Sequence, residues 1–379
     1  MVWVGFVVFI LSMLALDLGV FQRNPHSVTM REALIRCAGW ISLGLSFGIF
    51  VHFAYDHQWF GLGVEVDSVD GFVNDGDMAL AKYLTGYLVE QSLSADNVVV
   101  MVSVFAFFGV APQYQHRVLF WGIIGAIVMR GVMIAVGATL ISRFHWILYV
   151  FGGFLIVTGI RMFFVKMEHG DLERNPVMRL VRRFVPVTAQ FHGGHFMVRA
   201  GTHDALEPPV PGAQCKSDSV VDKATNGALL LTPLGLALVV VELSDLVFAV
   251  DSIPAVFAIT ADPFLVFTSN VFAILGLRSL YFALAGLLDR FRYLNASIAL
   301  VLMIVGTKML ASSWIKATFG SRANFYLLGL IFSILTIGIA ISWLASARDQ
   351  NKADQSNDDQ NNDDKDPPNR RAADQRAER

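Results

Sequence analysis

The chain alternates between long stretches almost free of charge and shorter polar connections. Nine apolar stretches run approximately over 2–20, 38–55, 79–108, 118–141, 145–165, 228–259, 264–288, 295–312 and 324–346. A helix needs about 20 residues to cross the hydrocarbon core of a bilayer, so the pattern predicts membrane-spanning helices. The first stretch starts at Met1 with no basic region ahead of it and continues to Val20, which predicts a span rather than a cleavable signal peptide. A polar stretch separates the fifth from the sixth and carries Arg174, Arg179, Arg182, Arg183, Arg199, Lys216, Lys223 and the proline-rich Glu207–Gly212. From Ala347 the chain is rich in Asp, Asn, Gln and Arg with no aromatic residue, a composition that cannot bury a core and predicts disorder.

The connections alternate in charge. The first carries Arg23, Arg31 and Arg36, the third Arg117, the fifth the basic cluster, and the seventh Arg290 and Arg292. The second is acidic, with Glu65, Asp67, Asp70, Asp75 and Asp77; the fourth has only Arg143 and the sixth only Asp262. The eighth, with Lys316 and Arg322, departs mildly from the pattern. Positive charge marks the cytoplasmic side, so the odd connections and the C-terminus are expected inside and the N-terminus outside.

Charged residues within the apolar stretches are costly and normally line a polar path or pair with one another. Eight stand out: Glu90, Asp96, Arg130, Arg161, Glu242, Asp245, Arg278 and Lys308. They form two series. Asp96, Arg130 and Arg161 are spaced by 34 and 31 residues; Asp245, Arg278 and Lys308 by 33 and 30. Met129-Arg130-Gly131 matches Leu277-Arg278-Ser279, and Gly159–Met162 matches Gly306–Met309. Helices three to five and six to eight then read as two copies running in opposite senses, an arrangement found in many secondary transporters. The expected fold is an all-α polytopic membrane protein of about nine transmembrane helices with two inverted three-helix repeats. Its parts are two N-terminal helices with an acidic outer loop (1–78), the first repeat (79–167), a cytoplasmic loop (168–227), the second repeat (228–312), a last helix (313–346) and a polar tail (347–379). Arg161 and Lys308 fall near helix ends, where each either snorkels to the interface or takes a buried partner.

The acidic segments carry the candidate chemistry. At about 100° per residue, Glu90, Ser94, Asn97 and Met101 share one face of the third helix, with Asp96 on another. On the sixth, Glu242, Asp245, Ala249 and Ser252 share a face and Asp251 points elsewhere. Pro254 disfavours helix at Ile253. A break near 249–254 is expected to free carbonyls and to swing Asp251 inward. The inventory of Glu90, Ser94, Asp96, Asn97, Glu242, Ser244, Asp245, Asp251 and Ser252 is all oxygen. Hard divalent cations such as Mn²⁺ or Mg²⁺ take such ligands. Arg130 and Arg278 are candidates for charge pairing or gating. They can neutralise only part of the five nearby acids, which leaves metal or proton handling beside purely structural ion pairing.

Composition narrows the field. The chain is 16% charged with a mean hydropathy of +0.55 and a net charge of −2. Soluble domains average about 25% charged, and a negative chain does not suit nucleic acid. Cys37 and Cys215 stand alone, which excludes a disulfide scaffold or a Cys-ligated zinc site. No nucleophile–histidine–acid set, HExxH or phosphate loop lies at membrane depth, so no enzyme is expected.

Several stretches resemble the TerC/Alx family of integral membrane proteins, named for tellurium resistance. They are Leu14–Phe21, Arg31–Ala33, Glu90–Asn97, Tyr114–Gly122, Asn175–Pro176 and Val241–Ala255. The resemblance runs from about residue 10 to 340, and the enlarged region 200–226 departs from it. It implies metal-ion homeostasis, chiefly manganese export across a bacterial inner membrane, and the family's acidic motif positions fall on Glu90, Asp96, Asn97, Glu242, Asp245 and Asp251. The cation is then cargo, with no permanently bound cofactor, and the remaining partner is membrane lipid. The alternative function is a membrane scaffold or assembly factor with a tellurium-resistance or metal-loading role. It would bind membrane or cytoplasmic proteins through 166–227 and the tail.

Weaker signals remain. Asp17 fits an inner vestibule or a helix-end partner for Arg23. His192 and His195 form a loop pair too sparse for a metal site. Asp67–Asp77 lacks the spacing of a calcium loop and reads as a solvated outer loop. Phe196–Arg199 and Ala228–Leu231 are expected to pair as a short hairpin.

Overall fold

The computed structural model describes residues 2–21, 30–144, 146–164, 187–188, 191–200, 227–284, 294–319 and 322–342. The helices are α1 (Val2–Phe21), α2 (Met30–Asp56), α3 (Gly76–Phe108), α4 (Pro112–Arg143), α5 (Ile147–Phe164), α6 (Pro233–Phe257), α7 (Pro263–Leu284), α8 (Leu294–Leu310), the short α9 (Ser312–Phe319) and α10 (Ala323–Ser342). Six are long and apolar enough to cross a membrane: α2, α3, α4, α6, α7 and α10. α1, α5 and α8 carry shorter apolar runs. Each of the nine apolar stretches of the sequence thus carries a helix among the described residues, and the polytopic all-α class holds.

The helix starts are set locally. The Asp75 carboxylate accepts from Met78 N at 2.8 Å ahead of α3, and Thr232 accepts from Gly235 N at 3.1 Å ahead of α6. Asp262 accepts from Phe264 N at 2.9 Å ahead of α7. Proline holds the first position of α4 and α6, where its missing N–H costs nothing.

α3 packs on α2, α6 and α7; α4 packs on α6 and α7; α5 packs chiefly on α8. The α5–α8 approach is backbone to backbone. A Cβ added to Gly306 would meet the Gly152 carbonyl at 2.8 Å, and one added to Gly159 would meet the Ala299 carbonyl at 2.8 Å. Small residues let membrane helices close to this distance.

The connections sort to two ends. The α2–α3 loop, the α6–α7 turn, the start of α1 and the end of α4 surround one cavity of about 560 Å³. At the other end Met197–Arg199 (β1) pairs antiparallel with Leu229–Leu231 (β2), so the expected hairpin forms. Arg117 at the start of α4 lies over the Phe196 ring there.

Three local expectations change. α6 continues through Pro254 without a break, because the proline falls in its last turns and Ala258 N bonds the Pro254 carbonyl at 2.9 Å. Lys308 does not snorkel: it is buried and donates to the Ala258 carbonyl at 2.9 Å, at the negative end of α6. The α2–α3 loop is not merely solvated, since Asp67, Asp70 and Asn74 are buried in it.

Candidate functional site

Arg130 of α4 is 1% exposed. A guanidinium at that depth must find acceptors, because breaking a buried charge pair costs about 3–5 kcal/mol. It finds them on three helices. It pairs with Glu90 of α3 and donates to Asp245 Oδ1 at 3.2 Å and Ser252 Oγ at 3.2 Å on α6, and to Asn270 Oδ1 at 3.0 Å on α7. Asn97 of α3 donates its amide to the same Asp245 oxygen at 3.2 Å. Asn270 is fixed in turn by donating to the Val266 carbonyl at 3.0 Å.

The cluster is only partly satisfied. Glu90 Oε2, Asp245 Oδ2, Asn97 Oδ1, Ser94 Oγ and Arg130 Nε are buried without a hydrogen-bond partner. Buried polar atoms are normally paired, and the exceptions point to a missing ligand, water or ion. Two carboxylates against one guanidinium leave a formal charge of −1. Four of these atoms are oxygens, on two carboxylates, an amide and a hydroxyl, the donor type a hard cation takes. Among the described residues no three His, Cys, Asp or Glu side chains gather as a metal cage.

Apolar layers close the centre on both sides. Val98, Met101, Phe105, Val118, Leu119, Leu277 and Tyr281 pack toward the β1–β2 end. Ile134, Ile141, Ile253, Val256, Phe257 and Val266 pack toward the α2–α3 loop.

The structure gathers Glu90, Asn97, Arg130, Asp245 and Ser252, and Ser94 is buried on α3 between Glu90 and Asn97. Glu242 lies next to them, half-buried on α6, with its carboxylate against Gly125 of α4 and within electrostatic reach of Asp245. Asp251 goes elsewhere. With α6 unbroken it stays on the face toward α5, where it takes a hydrogen bond from Thr158 and feels Arg161. Ser244 turns back on its own helix, donating to the Val240 carbonyl at 2.7 Å. Arg278 is buried on α7, where it has a partner of its own. Asp17 and Asp96 lie on α1 and α3, with side chains outside the described set. Sequence reasoning missed Asn270, although the polar run Thr268-Ser269-Asn270 inside an apolar helix marks it.

A second charge cluster sits at the loop end. Lys82, fully buried, donates to Asp67 Oδ2 at 2.8 Å and Asn74 Oδ1 at 2.5 Å, and pairs with Asp70 Oδ2 at 2.7 Å. Asp67 also accepts from Thr260 Oγ1 at 2.5 Å and Ala261 N at 3.0 Å, and Asp70 accepts from Asn324 at 2.9 Å. Burial alone would push the Asp67 carboxyl up; Lys82, Thr260 and the Val69 N–H outweigh it and hold Asp67 below the ordinary value. Asp262 is pushed above its ordinary value, chiefly by burial, against the hydrogen bond from Tyr55 at 2.8 Å. This cluster staples the α2–α3 loop to the α6–α7 turn and to α10.

The profile of the integral membrane protein TerC family matches residues 76–350. An uncharacterized membrane protein of Myxococcus xanthus is 44% identical over 314 residues, covering 83% of this chain and 84% of that protein. Alx of Salmonella typhi, provisionally named a membrane-bound redox modulator, is 39% identical over 352 residues, covering 92% and 96%. Alx of Escherichia coli K12, which bears the same name, is 38% identical over 354 residues, covering 93% and 97%. No solved structure matches the chain.

Proposed function

The chain belongs to the TerC family of integral membrane proteins, and on that premise we propose that it transports a divalent metal cation, with Mn²⁺ as cargo and export as direction. The carrying observation is the set of buried, unpartnered oxygens of Glu90, Asp245, Asn97 and Ser94 around a residual negative charge. A finished structural ion pair leaves no such remainder. Asp96 joins as a ligand or proton carrier from the same helix.

In this reading Arg130 is the internal stand-in for the cargo. Its guanidinium holds Glu90 and Asp245 together while the centre is closed to both ends, and an arriving cation competes for the same carboxylates. Arg278 plays the corresponding part for the second copy. The helix neighbours support the inverted repeat: exchanging α3, α4 and α5 with α6, α7 and α8 turns the α3–α7 pairing into α6–α4 and leaves α3–α6, α4–α7 and α5–α8 unchanged. The positive connections then face the cytoplasm of a bacterial inner membrane. Moving a redox-active cation would alter cellular redox state, in keeping with the name of the Alx relatives, with no redox step in this chain.

Mn²⁺ uptake into everted membrane vesicles tests the proposal. Wild type should accumulate Mn²⁺ and Asp245→Asn should not; equal uptake removes Asp245 from the mechanism. Competition by Mg²⁺, Ca²⁺ and Zn²⁺ in the same vesicles fixes the cargo.

A further inference from the structure

Glu242 and Asp245 stand one turn apart on α6 and both lean on α4, but they meet different surfaces. Asp245 meets the Arg130 guanidinium. Glu242 meets Gly125, and it has no ion pair or side-chain hydrogen bond among the described residues. A Cβ built on Gly125 would overlap that carboxylate, since Oε1, Cδ and Oε2 of Glu242 are its three nearest atoms. Any residue but glycine would displace the group. The neighbouring Gly122 offers a contrast on the same helix: a Cβ there meets Val241 Cγ1 at 3.7 Å, an ordinary contact.

A half-buried carboxylate beside a second acid, without a basic partner, is relieved by taking up a proton or by a cation that comes to it. The position of Glu242 makes that useful. α6 runs from the β1–β2 end, so Glu242 lies on that side of Asp245, between the closed centre and the basic connections. Resting on the transport reading above, we propose that Gly125 is the positioning residue for the Glu242 carboxylate, and that this carboxylate is a second station for the divalent cation on the approach from the β1–β2 end. Gly125 supplies the gap, and Glu242 supplies the charge.

The experiment uses the full chain in everted vesicles, with Mn²⁺ as the probe, together with thermal unfolding of the purified protein. Gly125→Ala should raise the KM for Mn²⁺ about tenfold, while Gly122→Ala should leave it within about twofold of wild type. Glu242→Asp draws the carboxylate back by one methylene and makes room for the new methyl group. Gly125→Ala with Glu242→Asp should therefore transport better than Gly125→Ala alone. Two independent packing defects would instead add, and that result would overturn the proposal. Unfolding gives a second reading that does not depend on transport. Any loss of thermal stability in Gly125→Ala should disappear in a Glu242→Ala background, where nothing remains to overlap; a loss of the same size there would sink the cradle. Absence of Mn²⁺ uptake by the wild type would reject the transport reading and the station with it, while the unfolding series still decides the cradle.

Discussion

Arg130 and Lys82 are both buried cations, each held by two carboxylates, yet the two clusters are built to different standards. Around Lys82 the Asp67 oxygens take Lys82, Thr260, Val69 N and Ala261 N, and the Asp70 oxygens take Lys82, Asn324 and Phe72 N. Every carboxylate oxygen there is used, and the Asn324 Oδ1 at the cluster's edge is left without a partner. Around Arg130 each carboxylate has one oxygen occupied and one left over, and an amide and a hydroxyl are left over too. Satisfied buried networks rigidify. Incompletely satisfied ones leave places for a water, a ligand or an ion. Composition alone does not separate these cases, because both clusters consist of one cation and two acids; the difference lies in how many acceptors the surrounding backbone supplies. A loop supplies many N–H groups, whereas a continuous helix has already committed its own.

The largest effect should come from Lys82→Met, which strands Asp67 and Asp70 without their cation. It should cost about 3–5 kcal/mol, read as a large drop in thermal unfolding temperature, and a drop no larger than that of a surface substitution would erase the contrast. Glu90→Gln should act the other way round. Arg130 keeps Asp245, so the fold should survive, while Mn²⁺ uptake should fall by at least about tenfold, equivalent to 1.4 kcal/mol.

A pH series sharpens the loop end. Asp67 lies below its ordinary value when folded, so its stabilisation is present above the unfolded pKa and is lost as pH falls through the folded one. The stability gap between wild type and Asp67→Asn should stay constant down to about pH 4, the ordinary carboxylate range, and close only in stronger acid. A gap that closes nearer neutrality would mean Lys82 does not hold Asp67 ionised. The smallest effect belongs to Ser94→Ala. Its hydroxyl has no partner, so stability should move by less than about 0.5 kcal/mol, while Mn²⁺ affinity weakens in the uptake assay. A clear stability loss would show that the hydroxyl was already paired.

The spans and the acidic faces of α3 and α6 were legible because membrane depth punishes charge, and Glu90 and Asp245 have few ways to be tolerated there. Faces read at a regular helical pitch placed Glu90, Ser94 and Asn97 together, and Asp245 with Ser252, as observed. Asp251 was misjudged because a proline near a helix end need not bend it: the last turns of α6 lose little by missing one N–H. Lys82 escaped notice because it sits in the opening turns of α3, where a lysine normally reaches water; only the folded α2–α3 loop buries it. Asn270 and Gly125 depend on which residues of two distant segments face each other, and no local pattern encodes that.

The contact of Gly152 with Gly306 bears on how the molecule can move. Two helices whose main chains touch have no side-chain cushion to deform, so sliding or rolling one over the other meets carbonyl against carbonyl at once. In the transport reading proposed above, the α5–α8 pair would serve as a fulcrum. Any rocking that opens the centre first to one face and then to the other has to be carried by α3, α4, α6 and α7, whose larger interlocking side chains can change partners while that pivot stays still.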